Sequence, residues 1–274
     1  MKKAFLLLMI PIVLIISCKN KENSTDQDKA PVCDSLKLMK AEHMAYATVW
    51  FQKSAENRAI FYQTFQFAKM MLDKNLKEIK SKKPKAIITD IDETVVDNSA
   101  YNARLIDQAM LYANDTWDVW ETEKKAKAMP GAVDFCNYAK SKKVEVFYVS
   151  NRSKKNVDAT IENMKSLGFP YVDKEHMLFK TESSDKTARR NEVSETYEVV
   201  LLMGDNLRDF DEIFGKRGED LGFKTVDDHK SEFGKKFIVF PNPMYGEWEK
   251  SIYKGDFNRT DEEKRKMRIG ILDK

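Results

Sequence analysis

Short apolar runs that alternate with helical patterns are the feature that most constrains the fold of this chain. The apolar runs lie at residues 86–89, 144–149, 197–203 and 237–240. Helical periodicity lies between them, at residues 132–142, 156–167, 188–195 and 209–216. Strands that alternate with helices form a parallel sheet with helices on both faces. The sequence therefore predicts an α/β fold.

Two other segments predict helical additions to this sheet. Residues 34–82 have apolar side chains at mixed spacings of three and four and contain neither proline nor glycine, which predicts one long or two shorter helices. The segment between Asn98 and Met129 has no strand pattern and is too long for an ordinary loop. We interpret it as an inserted helical cap at about residues 99–128.

The first residues have the pattern of an export signal. A cationic start is followed by an uncharged, almost wholly apolar stretch that ends at Ser17-Cys18 and is too short to span a bilayer. We predict a signal peptide at residues 1–17 and, because the next residues are polar and aperiodic, a flexible tether at residues 18–33. Cys18 resembles the cysteine of a bacterial lipobox, which implies its lipidation. The alternative is a plain signal peptide with an incidental cysteine.

Composition excludes several classes of protein. The chain has 47 basic and 44 acidic side chains, so its net charge of +3 argues against a nucleic-acid polymer as partner. Three cysteines cannot form a disulfide scaffold, and we expect Cys33 and Cys136 to be free thiols. The three histidines do not lie in a catalytic pattern, and there is no phosphate-binding loop of the ATPase type.

Four aspartates follow the predicted strands. Asp90 and Asp92 come after the first apolar run, and Asp205 and Asp209 come after the third. Because ligands bind beyond the carboxyl ends of parallel strands, these carboxylates are expected to converge at one edge, where they would repel one another. A divalent cation resolves that repulsion. Hard oxygen ligands without a nearby histidine favour Mg²⁺ over Zn²⁺.

The same edge carries groups that suit a phosphate. Ser150 follows the second apolar run, and Lys186 lies at a helix start between the second and third apolar runs. Each group has a common alternative: Asp-x-Asp also holds metal in glycosyltransferases, Ser150 and Asp209 could cap helices, and Lys186 could be a surface lysine. The order of the groups along the chain and their placement at strand ends favour phosphoryl chemistry, in which an aspartate can act as the nucleophile.

These segments resemble motifs one to four of the haloacid dehalogenase (HAD) superfamily, and in particular the class C acid phosphatases, bacterial surface lipoproteins that often act as 5′-nucleotidases. The resemblance is carried by residues 91–101, 129–132, 148–152, 204–210 and 242–249. It implies a Rossmann-like HAD core with a parallel sheet flanked by helices, a small mainly helical cap and an N-terminal helical extension. One phosphatase domain would span residues 34–274.

The resemblance also implies a role for each aspartate. Asp90 matches the nucleophile that attacks phosphorus. Asp92 matches the general acid and base that protonates the leaving alcohol and then deprotonates water. Asp90 and Asp205 match carboxylate ligands of Mg²⁺, with the backbone carbonyl of Asp92 as a further ligand. Asp209 would hold metal-bound waters or Lys186.

Further residues match substrate contacts of that family. Ser150, Asn151 and Lys186 match phosphate contacts. Trp117 and Tyr245 match an aromatic pair that sandwiches a nucleotide base, with packing of cap against core as the alternative. Trp120 and Trp248 are expected only to pack the cap against the core.

The resemblance implies a Mg²⁺-dependent acid phosphatase that hydrolyses small phosphomonoesters, foremost nucleoside 5′-monophosphates, at acidic pH. It also implies attachment to the bacterial cell envelope, at the outer membrane, through a lipid on Cys18, and it is compatible with a homodimer. The alternatives are a broad-specificity sugar-phosphate phosphatase, a phosphotransferase, and a surface lipoprotein that keeps the HAD fold without turnover.

Overall fold

The structure is a computed structural model that describes residues 41–274. The predicted signal peptide, the tether, Cys18 and Cys33 lie outside the described residues. Within residues 41–274, no helix is long and apolar enough to cross a membrane. In the same range Cys136 is buried and forms no disulfide.

Seven strands and ten α-helices make up the described chain. The strands are β1 (Lys85–Thr89), β2 (Val96–Asp97), β3 (Lys127–Ala128), β4 (Val144–Ser153), β5 (Met177–Lys180), β6 (Glu198–Gly204) and β7 (Phe237–Val239). The helices are α1 (Ala45–Lys53), α2 (Ala55–Glu78), α3 (Ser99–Asp107), α4 (Asn114–Glu123), α5 (Ala132–Ser141), α6 (Val157–Ser166), α7 (Thr187–Thr196), α8 (Phe223–Asp228), α9 (Glu247–Ile252) and α10 (Asp261–Gly270).

Five parallel strands form the central sheet, in the order β5-β4-β1-β6-β7. The first strand therefore lies at the centre, hydrogen-bonded to β4 on one side and β6 on the other. Its alternate side chains pack on opposite faces: Ile87 joins one hydrophobic cluster and Ile88 the other. Burial on both faces explains why this strand reads as a continuous apolar run. The predicted parallel sheet flanked by helices is confirmed.

The N-terminal extension consists of α1 and α2, which agrees with the prediction of two shorter helices, although α2 ends at Glu78 and residues 79–82 are not helical. Ser54 separates the two helices because its backbone is extended, and its hydroxyl caps α2 by accepting from Asn57 N at 3.0 Å. The side chain of Asn75, near the end of α2, donates to the carbonyls of Val200 (2.9 Å) and Lys235 (3.0 Å). The extension is thereby fixed to the sheet.

The predicted cap segment contains α3 and α4, framed by the short antiparallel pair β2 and β3. The expectation that this segment has no strand was wrong at Lys127–Ala128, where two residues pair with β2. Trp120 is buried, and its indole donates to Asn98 Oδ1 at 2.9 Å. This bond ties α4 to the residue that joins β2 to α3.

Two further expectations differ from the structure. The strand β5 was not predicted, because it is a four-residue edge strand in which only Met177 and Phe179 are buried. Residues 209–216 were predicted as one helix but form two 3₁₀ turns, Leu207–Asp209 and Glu212–Gly215. Asp211 interrupts the helix because its side chain accepts from Ile213 N at 2.9 Å, a local bond that starts a second turn.

Candidate active site

Three of the four predicted aspartates meet at the carboxyl edge of the sheet. One carboxylate oxygen each of Asp90, Asp205 and Asp209 lies within 4.8 Å of the others. Asp90 follows the central strand, and its backbone N–H donates to Met203 O of β6 at 2.9 Å. Adjacent parallel strands thus bring together residues that are more than a hundred positions apart in the sequence.

Lys186 joins two of these carboxylates. Its Nζ donates to Asp90 Oδ1 at 2.5 Å and to Asp209 Oδ1 at 2.7 Å, and only 5% of its side chain is exposed. A buried ammonium needs opposite charge nearby to offset its loss of hydration, and the two carboxylates supply that charge. The expected contact between Asp209 and Lys186 is therefore present in the structure.

The single positive charge of Lys186 does not neutralise the three carboxylates. Burial raises the pKa of Asp90 to about 7, against the attraction of Lys186 and with the repulsion of Asp209. Burial, reinforced by Asp209 and Asp90, also holds the pKa of Asp205 well above its usual value. Burial disfavours the ammonium of Lys186, yet the carboxylates of Asp209 and Asp90 hold its pKa above the usual one. One lysine does not balance the cluster.

The donor set of this cluster fits a divalent cation. Its atoms are hard carboxylate oxygens, the ligands that Mg²⁺ and similar ions prefer. Asp205 is oriented by Asn242 Nδ2, which donates to Oδ2 at 2.8 Å, and by Thr94 Oγ1, 3.4 Å from Oδ1. Hydrogen-bond donors of this kind hold a metal-binding carboxylate in a fixed orientation.

Gly204 permits the close approach of Asp209. A Cβ at position 204 would lie 2.2 Å from Asp209 Oδ2 and 2.4 Å from Asp209 Cβ. Asp209 Oδ2 also accepts from Asn206 N at 2.9 Å. The glycine that precedes Asp205 is thus required for Asp209 to pack beneath it.

The two oxygens of Asp92 have unequal partners. Oδ1 accepts from Asn98 Nδ2 at 2.8 Å and from Arg152 Nε and Nη2 at 2.9 and 2.7 Å. Oδ2 accepts from Ser150 Oγ at 3.2 Å. One oxygen of Asp92 is therefore saturated, and the other points toward Ser150.

Arg152 is a site residue to which the sequence reasoning assigned no role. Its side chain is 2% exposed, and besides Asp92 it donates to Thr160 Oγ1 (3.1 Å) and Asn98 Oδ1 (3.0 Å). Glu121 of α4 lies 3.9 Å from its Nε. The signal that could have identified it is its position two residues after Ser150 in the second motif.

Ser150 and Asn151 lie within the last part of β4 and differ in exposure. Ser150 is fully buried, and its Oγ also accepts from Arg152 N at 3.1 Å. Asn151 is exposed, and its amide is already engaged: Nδ2 donates to Ser184 O at 3.0 Å and Oδ1 accepts from Arg189 at 2.8 Å. The Asn151 side chain therefore connects the end of β4 to helix α7 and to the loop that precedes it.

A cavity of about 1560 Å³ opens over these residues. Asp90, Asp92 and Lys186 contribute to its lining, and so do the half-buried rings of Trp117 and Tyr245. The structure thus brings the two predicted aromatic residues to the same cavity as the aspartates.

Neighbouring residues fix the two aromatic rings. Trp117 packs edge-on against Tyr101, with centroids 5.0 Å apart. The Tyr245 hydroxyl donates to Glu93, a fully buried residue in a left-handed conformation (φ 56°) whose pKa is raised well above the usual value by burial. Trp248, expected to pack, is 39% exposed, and its indole donates to Asn242 O at 3.2 Å.

The outer part of the cavity was not foreseen. Leu111 and Tyr112 from the loop between α3 and α4 line it, as do Lys264, Arg265 and Arg268 of α10. Neither segment carries a motif, so no local pattern pointed to them.

Comparison with known proteins gives concordant matches. Residues 16–248 match the model of a protein family described as HAD superfamily, subfamily IIIB (acid phosphatase). The class C acid phosphatase from Bacillus anthracis with tungstate bound has 40% sequence identity and a TM-score of 0.81, over 85% of this chain and 98% of that chain. Another structure of the Bacillus anthracis enzyme has the same identity and TM-score, over 87% of this chain and 99% of that chain.

Proposed function

The chain belongs to HAD subfamily IIIB, the class C acid phosphatases, and is a phosphoric monoester hydrolase; from this premise we propose that it hydrolyses nucleoside 5′-monophosphates with Mg²⁺. The observation that carries the proposal is the placement of Lys186 between Asp90 and Asp209 in a buried carboxylate cluster, at a cavity that also contains two aromatic rings.

Asp90 is the proposed nucleophile. Its carboxylate attacks phosphorus, the bond from phosphorus to the ester oxygen breaks, and an aspartyl-phosphate forms on Asp90. The ammonium of Lys186 is proposed to offset charge on the transferring phosphoryl group, and the Ser150 hydroxyl is proposed to contact it. A buried, preorganised donor stabilises such charge more strongly than water does.

Asp92 is the proposed general acid and base. It gives its proton to the departing alkoxide, then takes a proton from the water that attacks the aspartyl-phosphate, which releases phosphate and regenerates Asp90. Because Oδ1 is saturated by Asn98 and Arg152, the proton is assigned to Oδ2, the oxygen beside Ser150. The description of the matching family as acid phosphatases supports an acidic pH optimum.

Asp90, Asp205 and the backbone carbonyl of Asp92 are the proposed ligands of Mg²⁺, with Asp209 behind them. When bound, the ion supplies charge neutralisation for the carboxylates and the phosphoryl oxygens. Asn242 and Thr94 hold the Asp205 carboxylate in place.

The preference for nucleotides rests on the size of the cavity and on its aromatic lining. A volume of about 1560 Å³ is far more than a phosphate group fills. Base stacking on an aromatic side chain contributes about 1–3 kcal/mol per base, and Trp117 and Tyr245 are half-buried rings in that cavity. The tungstate held by the similar Bacillus anthracis enzyme supports the binding of a tetrahedral oxyanion here.

A substrate panel tests the proposed activity. Nucleoside 5′-monophosphates, sugar phosphates and p-nitrophenyl phosphate are compared by kcat/KM, each with Mg²⁺ and with EDTA. We expect the highest values for the nucleotides and loss of activity in EDTA that is restored by Mg²⁺. Equal kcat/KM for sugar phosphates would identify a broad-specificity enzyme, and no turnover at all would identify a non-catalytic lipoprotein.

We also propose export and anchoring from the sequence alone. Residues 1–17 would be removed as a signal peptide, Cys18 would carry the lipid at the outer membrane, and residues 18–33 would tether the domain that spans residues 34–274. Metabolic labelling with a fatty acid tests this. The label should enter the wild-type protein and be absent from Cys18→Ser.

A further inference from the structure

Three cationic side chains start helix α7, and the proposed mechanism uses one of them. Lys186 is the residue that precedes the helix, and Arg189 and Arg190 follow it by three and four positions. Residues at these spacings lie on one face of a helix. All three side chains therefore reach from the same turn toward the carboxyl edge of the sheet.

Arg189 reaches toward the end of β4. Its Nη1 donates to Ser150 O at 2.5 Å, and its Nη2 donates to Asn151 Oδ1 at 2.8 Å and to Asp185 O at 3.1 Å. The guanidinium thus joins the two residues of the phosphate-binding segment to the loop that carries Lys186.

Arg190 reaches in the other direction, toward the metal side of the site. Its Nη1 donates to Arg208 O at 2.9 Å and lies 3.4 Å from Asp209 O, and its Nη2 donates to Thr187 Oγ1 at 3.0 Å. The residue is 8% exposed. It joins the turn that carries Asp209 to the first turn of α7.

We propose that Arg189 and Arg190 are two positioning residues with separate tasks. Arg189 fixes the backbone and side chain that present Ser150 and Asn151 to phosphate. Arg190 fixes the backbone of Asp209, and through it the carboxylate cluster that holds the metal. The proposal rests on the proposed function of these sites. Within residues 41–274 neither guanidinium lines the active-site cavity, so both act through their neighbours and not on the substrate.

The geometry explains why arginine is needed at both positions. A guanidinium has five N–H donors in a planar fork and can bond two or three carbonyl groups at once. A lysine has one nitrogen on a flexible stem and cannot span the same acceptors. Loss of either arginine would leave carbonyl groups without their donors and free one side of the site to move.

Four variants test the division of tasks: Arg189→Ala, Arg189→Lys, Arg190→Ala and Arg190→Lys. For each, KM and kcat with p-nitrophenyl phosphate, the inhibition constant of tungstate and the half-saturating Mg²⁺ concentration are measured, together with Tm. Each arginine is the matched control for the other. Arg58→Ala is the surface control, because Arg58 is exposed and bonds Tyr62.

Residues that orient the groups of a metal site typically change metal affinity or activity by about 10–100-fold when they are mutated. For the Arg189 variants we expect KM and the inhibition constant of tungstate to rise by about tenfold, with the half-saturating Mg²⁺ concentration within about twofold of wild type. For the Arg190 variants we expect the half-saturating Mg²⁺ concentration to rise by about tenfold, with KM and the inhibition constant of tungstate within about twofold of wild type. Where an alanine variant does not fold, the lysine variant decides the outcome.

Two results would overturn the proposal. In one, all four variants have wild-type constants. In the other, each variant shifts the tungstate and Mg²⁺ constants by the same factor, as a loss of overall stability would. The proposed function would be refuted by a different result, an Asp90→Asn variant that keeps the wild-type kcat. Inactive Asp90→Asn with unchanged arginine variants would therefore refute the positioning roles alone.

Discussion

The guanidinium of Arg152 holds one oxygen of Asp92, at 2.7 and 2.9 Å, and leaves the other oxygen beside the Ser150 hydroxyl. In the proposed mechanism, this asymmetry assigns the proton of the general acid to Oδ2. It also links the cap to the chemistry, since Arg152 lies between Asp92 and Glu121 of α4.

Loss of Arg152 should impair leaving-group protonation most. In Arg152→Lys the two bonds to Asp92 cannot both be kept, and we expect kcat to fall by about 10²-fold, within the range of general-acid contributions. The loss should be greater for alkyl phosphates, whose leaving groups need the proton, than for p-nitrophenyl phosphate. Steady-state kinetics with both ester classes measure this. An equal loss on both would show that Arg152 has no part in protonation.

A side chain at position 204 should displace Asp209. The added Cβ of Gly204→Ala would lie 2.2 Å from Asp209 Oδ2, so we expect a higher half-saturating Mg²⁺ concentration and a stability loss of about 1–3 kcal/mol. Gly270→Ala is the matched control, because in the described part of the chain nothing lies within 4 Å of its added Cβ. Metal titration and thermal unfolding of both variants check the prediction, which fails if they behave alike.

Removal of the Trp117 ring should affect nucleotides selectively. Trp117→Ala is expected to raise KM for nucleoside monophosphates by about 5–150-fold, which corresponds to 1–3 kcal/mol of lost stacking, and to change KM for small phosphate esters much less. Tyr46→Ala, at a residue 92% exposed, serves as control. Equal increases for both substrate classes would indicate that Trp117 only packs the cap.

The buried Glu121 should make the fold more stable in acid. Burial raises its pKa from 4.5 to about 7, although Arg152 opposes the shift. Between pH 4.5 and 7 the unfolded chain loses this proton first, so the free energy of unfolding falls as pH rises, by about 3 kcal/mol.

The uncharged variant Glu121→Gln does not have this penalty. Its Tm should therefore exceed that of wild type above pH 7, and the difference should disappear below pH 4.5. Thermal unfolding from pH 4 to pH 8 gives the comparison. A Tm difference that is constant with pH would contradict the assignment.

The sheet and the aspartates could be predicted because local sequence encodes them. β1 is buried on both faces and reads as an apolar run, and the groups that follow parallel strands meet at one edge. β5 was missed because an edge strand of four residues leaves too little pattern. The predicted helix after Asp209 was wrong because Asp211 caps a second turn within it.

The remaining parts of the site depend on contacts that are distant in sequence. Arg152 lies two residues after Ser150 in the sequence, but its contacts with Asp92 and with Glu121 of α4 form only through tertiary packing. The same holds for α10, which lines the outer cavity without a motif. Tertiary contacts of this kind follow from the fold and not from any local pattern.

The most direct test of the central claim is to trap the covalent intermediate. The enzyme is mixed with substrate, quenched in acid during turnover and digested, and its peptides are analysed by mass spectrometry. We expect a phosphoryl adduct on the peptide that contains Asp90, and neither adduct nor turnover in Asp90→Asn. Turnover at the wild-type rate in Asp90→Asn, or an adduct on any other residue, would contradict it.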